Sequence, residues 1–146
     1  MAKDIYHEHV KTALIKDGWT ITHDPLRLLS KAEGGLEADL GAEKIIIAEK
    51  GLSKIAIEVK SFLQPSLINE FNKATGQYVS YEEALDMLND DRILYLAIPD
   101  EIYTKLVTKI ITQRVIKRLK IKILLYNPES KTVVSWIESP DFKKIS

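Results

Sequence analysis

The sequence predicts an α/β domain in which helices flank a mixed β-sheet. Three observations support this fold class. Helical and extended patterns follow each other in the order α-β-β-β-α-β-α-β-β along the 146 residues. A long helical segment separates two apolar strand segments, and such a crossover implies parallel pairing between those strands. Short connections join two further pairs of strands, which predicts antiparallel hairpins.

The N-terminal half predicts one helix, a short extended piece, a loop and three strands. Apolar residues recur at helical spacing from Lys3 to Lys16, and Gly18 is a natural C-terminal stop. Glycine and proline mark the loop, and a hairpin connection joins the last two strands. In order, the later segments are Trp19–Thr22 (extended), Asp24–Gly35 (loop), Leu36–Leu40, Lys44–Glu49 and Lys54–Ser61 (strands), with the hairpin connection at Lys50–Ser53.

The C-terminal half predicts two helices and three strands. A serine suited to N-capping begins the first helix. The strand that follows is almost continuously apolar, as in strands buried on both faces of a sheet. A second helix then leads to a terminal hairpin. In order, the segments are the helix Ser66–Leu88, the strand Arg92–Ile98, a helix from Pro99 towards Arg118, and the strands Ile121–Tyr126 and Thr132–Ile137.

Composition predicts a single folded domain spanning residues 1–146, located in the cytoplasm. Apolar residues make up 45% of the chain, which is enough for a buried core. Basic and acidic residues both number 21, so the chain as a whole is not a polybasic binder. It has no cysteine, which excludes disulfides and thiolate metal sites. Because the N-terminus is charged, we expect no signal peptide. Because the chain lacks a run of about 20 apolar residues, we expect no membrane span.

The spacing of three charged residues indicates a metal-dependent hydrolytic site. Asp39 ends one extended run, and Glu58 and Lys60 lie two apart on a later strand. Residues two apart on a strand point to the same face, so Glu58 and Lys60 project together. If Asp39 lies across the sheet, the carboxylates can hold Mg²⁺ or Mn²⁺ while the lysine stabilises a phosphodiester transition state. An ordinary solvated strand face is the alternative.

Two residues on the following helix strengthen the catalytic interpretation. Gln77 and Tyr81 are four apart and share a helical face, from which each can hydrogen-bond a phosphate or a catalytic side chain. Ordinary helix-surface residues are the alternative. With Asp39, Glu58 and Lys60 they resemble the PD-(D/E)XK nuclease superfamily, the restriction-endonuclease-like fold, whose core has the order α-β-β-β-α-β.

This resemblance implies a divalent-metal-dependent endonuclease acting on DNA. It implies catalytic roles for Asp39, Glu58, Lys60, Gln77 and Tyr81. Of these residues, the two acids Asp39 and Glu58 would also bind the metal. Members often carry a further metal-binding Glu on the first helix, and Glu8 is the candidate. Ala38 replaces the proline of the superfamily motif, and Glu37 competes with Asp39 for the same role. Members also often cut both strands as dimers, so the resemblance implies a homodimer.

Longer segments resemble the XisH family over essentially the whole chain. They are Asp17–Pro25, Ala38–Glu43, Ile57–Phe62, Gly76–Tyr78 and Leu94–Pro99. XisH proteins are cyanobacterial factors named for control of excision of the fdxN element, a DNA segment removed during heterocyst development. The resemblance implies a role beside a site-specific recombinase and a small companion protein, XisI. Because the name describes a genetic requirement, a non-catalytic accessory role is the alternative to DNA cleavage.

A local excess of basic residues indicates a second DNA-contacting region. The segment from Lys105 to Lys122 contains no acid, and the candidate phosphate-binding residues in it are Lys105, Lys109, Arg114, Lys117 and Arg118. The alternative is a solvated helix face that pairs with an acidic run, Glu82, Glu83, Asp86, Asp90 and Asp91.

Histidines offer no obvious metal site in the sequence. His7 and His9 are two apart on a predicted helix, so their side chains point about 200° apart. The pattern favours structural roles for both.

Overall fold

The computed structural model of the chain describes residues 2–46, 51–63 and 65–139. Within these residues it contains four α-helices, eight strands and one 3₁₀ turn at Lys31–Glu33. The helices are α1 (Ala2–Lys16), α2 (Leu67–Met87), α3 (Asp100–Leu106) and α4 (Ile110–Leu119). The strands are β1 (Thr20–His23), β2 (Leu26–Leu29), β3 (Leu36–Ala38), β4 (Leu40–Ile46), β5 (Gly51–Val59), β6 (Ile93–Pro99), β7 (Ile123–Asn127) and β8 (Thr132–Ile137).

A six-stranded mixed sheet organises the molecule, in the order β1-β4-β5-β6-β7-β8. Strands β5, β6 and β7 are parallel, because α2 and the α3–α4 pair provide the two crossovers between them. The β1–β4, β4–β5 and β7–β8 pairs are antiparallel. The α/β class and the mixed sheet flanked by helices are therefore confirmed.

Helices cover both faces of the sheet, and alternation along β5 assigns its side chains to each face. Ile57 and Val59 pack in a core cluster with Val10 and Leu14 of α1. Ala56, on the opposite face, belongs to the larger core beneath α2, α3 and α4. Because the pattern has a period of two, residue 58 points to the α2 side.

A tyrosine fastens α2 to the parallel strands. The Tyr78 hydroxyl donates to the Leu94 carbonyl (3.3 Å) and accepts from the Lys122 backbone N–H (3.0 Å). Burial raises the pKa of Tyr78 to about 12, so the hydroxyl keeps its proton and can fill both roles. This pair of bonds holds the middle of α2 at a fixed height above β6.

Two predicted segments differ from the structure in the first half. The predicted loop contains β2, which pairs antiparallel with β3 in a separate two-stranded sheet. Its alternate residues Leu26 and Leu28 are buried in the core with α2, so tertiary packing stabilises a strand too short to be recognised alone. The predicted strand Leu36–Leu40 is interrupted at Asp39, between β3 and β4.

The predicted β4–β5 hairpin is confirmed as an antiparallel pair, with shifted boundaries. Strand β4 begins at Leu40, earlier than predicted, and β5 begins at Gly51, inside the predicted connection. Residues 47–50, which include the predicted strand end at Glu49 and the start of the connection at Lys50, lie outside the described residues.

The helix predicted from Pro99 towards Arg118 is two helices, α3 and α4, separated by residues 107–109. In this break the Thr108 hydroxyl donates to the Lys105 carbonyl (2.7 Å). A threonine side chain that bonds nearby backbone offers an alternative to the helical ladder, which accounts for the interruption.

The other elements match their predictions closely. Ser66 caps α2 by accepting the Asn69 N–H on its hydroxyl (3.2 Å). In β6, residues 94–98 are buried on both faces, as expected for a central parallel strand. Among the residues that the structure describes, none of the helices has the length and apolar character needed to cross a membrane.

Candidate functional site

Asp39 lies where β3 ends and β4 begins, facing the carboxyl end of β5. Its Oδ2 accepts the Val59 backbone N–H (2.8 Å), which fixes the carboxylate against the end of that strand. Register explains the position, because Leu40 pairs with Ile57 and the next residue back therefore meets Glu58. The Asp39 side chain is 21% exposed, so one side of it remains open to solvent.

Glu58 is the buried member of the site. It projects from β5 towards α2 and is only 5% exposed. The Lys60 Nζ lies 3.3 Å from Glu58 Oε2, and a side-chain hydrogen bond joins Glu58 to Asp39. The predicted convergence of Asp39, Glu58 and Lys60 is therefore present in the structure.

Lys60 follows the last residue of β5 yet keeps the alternation of the strand. Its backbone N–H donates to the Ala97 carbonyl (2.9 Å), and its own carbonyl accepts the Tyr126 hydroxyl (3.3 Å). These two bonds hold the Lys60 backbone at the carboxyl end of the parallel strands. Its side chain, 19% exposed, is thereby directed to the same side as Glu58.

The electrostatics of the site follow from placing two acids, one of them buried, beside one base. Burial, and secondly the neighbouring Asp39 carboxylate, raise the pKa of Glu58 to about 7, while Lys60 acts in the opposite direction. The site therefore holds more negative charge than Lys60 alone neutralises once both acids are ionised.

Tyr81 reaches the site from α2, but Gln77 does not contact it. Tyr81 is buried and its hydroxyl hydrogen-bonds Glu58. Burial, and then the charges of Glu58 and Asp39, raise the pKa of Tyr81, so it donates as a neutral phenol. Gln77, one helical turn earlier, is exposed, and its side chain makes no hydrogen bond to another residue that the structure describes.

On α1, the residue that approaches the acids is His7 and not Glu8. Glu8 is exposed. His7 Nε2 lies 2.7 Å from Asp24 Oδ1, and its Nδ1 lies 3.9 Å from Asp39 Oδ1. The Lys11 Nζ holds the other oxygen of Asp24 at 2.8 Å.

The sequence contained a usable signal for His7. It shares a helical face with Val10 and Leu14, at spacings of three and seven, and both of those residues are fully buried. A histidine on the buried stripe of α1 faces the sheet, whereas the neighbouring Glu8 does not. No comparable signal identifies Asp24, which lies in the turn after β1.

The donor set of the site fits a hard divalent cation. Asp39 and Glu58 lie within hydrogen-bonding distance of each other and carry more charge than Lys60 balances, and Mg²⁺ usually takes one or two protein carboxylates with water and phosphate. Within residues 2–46, 51–63 and 65–139, no group of three or more His, Cys, Asp or Glu side chains could hold a metal ion, so the protein would supply two carboxylates at most. An ion bound there would keep several ligands from water or substrate.

The predicted basic surface is exposed, as a phosphate-binding surface requires. Its members, Lys105, Lys109, Arg114, Lys117 and Arg118, make no ion pair with another described residue. The inner face of α4 is anchored by buried Thr112 and Ile116, which turns the cations outward. The charge of Lys122 acts on Glu82 of the acidic run, whereas Asp90 and Asp91 of that run pair with Arg92 and Lys54, which lie outside the basic segment.

Comparison with known proteins gives consistent results. Residues 1–134 match the XisH protein family. A crystal structure of an XisH family protein from Nostoc punctiforme PCC 73102 superposes with a TM-score of 0.80 and 39% sequence identity, covering 92% of this chain and 99% of that chain. A fdxN element excision controlling factor protein from Anabaena variabilis superposes with a TM-score of 0.79 and 40% identity, covering 92% and 98% of the two chains. No curated protein matches the chain.

The family match spans residues 1–134, and the two solved relatives are 39% and 40% identical to this chain and each cover 92% of it. The chain belongs to the XisH family.

Proposed function

We propose that the protein controls excision of a DNA element, the role for which its Anabaena variabilis relative is named, and that it acts on DNA as a divalent-metal-dependent endonuclease of the PD-(D/E)XK type. One observation carries the proposal. Asp39, Glu58 and Lys60 converge at the carboxyl end of β5, with Tyr81 bonded to the buried acid.

The residues divide the work of phosphodiester hydrolysis between them. Asp39 and Glu58 hold Mg²⁺ or Mn²⁺, which when bound neutralises phosphate charge and acidifies a water molecule. Lys60 donates to the non-bridging phosphate oxygens as negative charge develops. The Tyr81 hydroxyl orients the Glu58 carboxylate from the α2 side.

Nicking of supercoiled plasmid DNA tests the proposal. The wild-type protein is expected to nick in Mg²⁺ or Mn²⁺ and to stop in EDTA. Glu58→Gln and Lys60→Ala are each expected to lower the rate by at least about 100-fold, the scale of losing one charge-stabilising group. Glu37→Gln is the matched control, because Glu37 precedes Asp39 by two residues but is half-exposed and pairs with Arg27 at 3.4 Å.

The result that contradicts a nuclease site is nicking that survives both site variants, since such activity comes from elsewhere. Loss of activity in a Glu37→Gln protein that still folds by circular dichroism would assign to Glu37 the role that we propose for Asp39.

An accessory role on the same fold is the second candidate, and the burial of Glu58 favours it. The residue is 5% exposed and its carboxylate already has Lys60, Asp39 and Tyr81 as partners, so the cluster also serves as a structural link between α2 and the sheet. In this role the protein binds a XisI-like companion or the recombinase and directs excision without cutting. Excision in cells that remains undiminished in Glu58→Gln, with a stable complex recovered from purified components, distinguishes it from catalysis.

A further inference from the structure

We infer that a cavity at the opposite end of the sheet from Glu58 binds an arginine side chain of a partner protein. The inference rests on three aromatic side chains and three carboxylates that line this cavity. It requires neither a metal ion nor cleavage of DNA, so it goes beyond the proposed function.

The cavity lies beside the first half of β5 and the start of β6, on the α1 side of the sheet. Its volume is about 350 Å³. Ile55 of β5 lines it and also belongs to the core cluster that packs against α1. The neighbouring Lys54 lines it as well and precedes Glu58 by four residues, which corresponds to about 13 Å along a strand. The cavity is therefore distinct from the candidate metal site.

The aromatic wall of the cavity consists of Trp19, Tyr95 and Trp136. The Trp136 ring centroid lies 5.6 Å from that of Trp19 and 4.8 Å from that of Tyr95. The Trp19 backbone N–H donates to the Leu14 carbonyl (3.0 Å), which fixes this residue just after the end of α1. Tyr95 is buried, whereas both tryptophans are only partly buried, so indole surface remains accessible. Accessible aromatic faces attract cations, because the ring quadrupole is negative above the face.

Carboxylates outnumber basic groups around the aromatic wall. The acids that line the cavity are Asp17, Asp91 and Glu138, and Lys54 is the one base among the described lining residues. The Lys54 Nζ lies 3.7 Å from Asp91 Oδ1, so this base offsets one of the three acids. Three acids and one base give the lining a formal charge of −2. Such a lining attracts a cation and repels the phosphates of nucleic acid.

Neutral hydrogen-bond donors hold two of these carboxylates beside the aromatic wall. The Tyr95 hydroxyl donates to Glu138 Oε1, and the Trp19 indole N–H donates to Asp17 Oδ2 (3.2 Å). Burial, and then the bond to Glu138 and its charge, raise the pKa of Tyr95. The phenol therefore keeps its proton and does not offset the charge of the carboxylate.

Arginine has the combination of properties that this cavity can recognise. Its guanidinium group is planar and permanently charged, stacks on aromatic faces and donates to carboxylates from a rigid fork. Lysine carries its charge on a compact and strongly hydrated ammonium group, which gains less from stacking. A nucleotide also stacks on aromatic rings, but its phosphate is repelled by the carboxylates.

Exposed apolar side chains near the cavity favour an arginine that belongs to a protein. Ile93 lines the cavity and is 43% exposed. Met87 and Leu88, which shortly precede Asp91 in the chain, are 59% and 48% exposed. A protein that inserts an arginine can cover this apolar surface too, whereas a small free cation leaves it in water. Tryptophan, tyrosine and arginine are also the residues that most often dominate the affinity of protein interfaces.

Intrinsic fluorescence tests the inference, because both tryptophans of the chain line this cavity. The probe is a tripeptide with blocked ends in which two glycines flank one arginine. We expect it to change the emission of the wild-type protein with a Kd on the order of 1 mM. The same peptide with citrulline, which keeps the shape of arginine but lacks its charge, should bind at least about tenfold more weakly.

A pair of variants connects the binding to the cavity. Glu138→Gln removes one charge but can still accept the Tyr95 hydroxyl, and it should weaken binding of the arginine peptide at least about fivefold. Glu129→Gln is the matched control, since this exposed acid lies at the turn of the same β7–β8 hairpin, and it should bind as the wild-type protein does.

The contrary outcomes each identify a different occupant. Equal affinities of the wild-type protein for the arginine and citrulline peptides overturn a cation site. Tighter binding of free arginine than of the blocked peptide assigns the cavity to a small molecule, and tighter binding of adenosine monophosphate assigns it to a nucleotide. Self-association that sedimentation velocity detects in the wild-type protein but not in Glu138→Gln assigns it to a second copy of this chain. The peptide comparison uses the wild-type protein, so it remains decisive even if Glu138→Gln does not fold.

Discussion

Replacing Glu58 with glutamine is expected to stabilise the metal-free protein at high pH and to flatten its pH dependence. Burial and the neighbouring Asp39 raise the pKa of Glu58 from 4.5 to about 7 in the folded state. Because the pKa is higher in the folded state than in the unfolded state, protonation of the Glu58 carboxyl stabilises the folded protein. That stabilisation is complete below pH 4.5 and is lost as the pH rises through 7.

The size of the effect follows from the same values. The difference between 4.5 and about 7 corresponds to about 3 kcal/mol of unfolding free energy lost by the wild-type protein across this interval. Glutamine is nearly isosteric and uncharged, so it can keep hydrogen bonds to Asp39 and Tyr81 without the cost of a buried charge. At pH 8.5, Glu58→Gln should exceed wild type by up to about 3 kcal/mol, or about 6–12 °C in Tm.

Urea denaturation followed by circular dichroism, in EDTA from pH 4.5 to 9, measures the effect directly. The difference between wild type and Glu58→Gln isolates this carboxyl group from others that titrate in the same range. Glu37→Gln serves as the control, since that exposed acid should give a profile parallel to wild type. Parallel profiles for Glu58→Gln and wild type between pH 4.5 and 7 would refute the reasoning.

Two further predictions concern α2 and the basic surface. Tyr81→Phe removes the hydroxyl that bonds Glu58 and should cost about 1–2 kcal/mol of unfolding free energy, whereas Gln77→Ala, at an exposed position, should cost less than about 0.5. Equal costs in urea denaturation would contradict the different placement of these two residues. If the exposed cations of α4 bind phosphates, Arg114→Glu combined with Lys117→Glu should weaken DNA binding and lower its salt dependence by about one unit of slope per cation removed. An unchanged slope in fluorescence anisotropy would remove this surface from the DNA interface.

The elements that could be predicted are those whose pattern is local. The helical stripe of α1, the cap at Ser66 and the apolar run of β6 each lie within one segment, so periodicity and capping chemistry identify them. Strand β2 and the break near Thr108 depend on packing partners or on a single side-chain bond, and their local patterns are too short to reveal them.

The residues of the candidate site show the same distinction between local patterns and features that depend on packing. The alternation of β5 determined that Glu58 and Lys60 share a face, and the strand order made Asp39 their natural neighbour. Helical spacing likewise placed Tyr81 and Gln77 on one side of α2, but it could not tell that only Tyr81 turns inward, because that depends on where α2 sits above the sheet.

The sequence by itself determined the α/β class, the mixed sheet and the carboxylate–lysine spacing, since each follows from a repeat of two or 3.6 residues along a single segment. Only the tertiary structure decided that Glu58 is buried and that His7 meets Asp24 and Asp39. The physical reason is distance along the chain. His7 and Asp24 are 17 residues apart and are joined by the docking of α1 and the turn after β1, which no periodicity within either segment encodes.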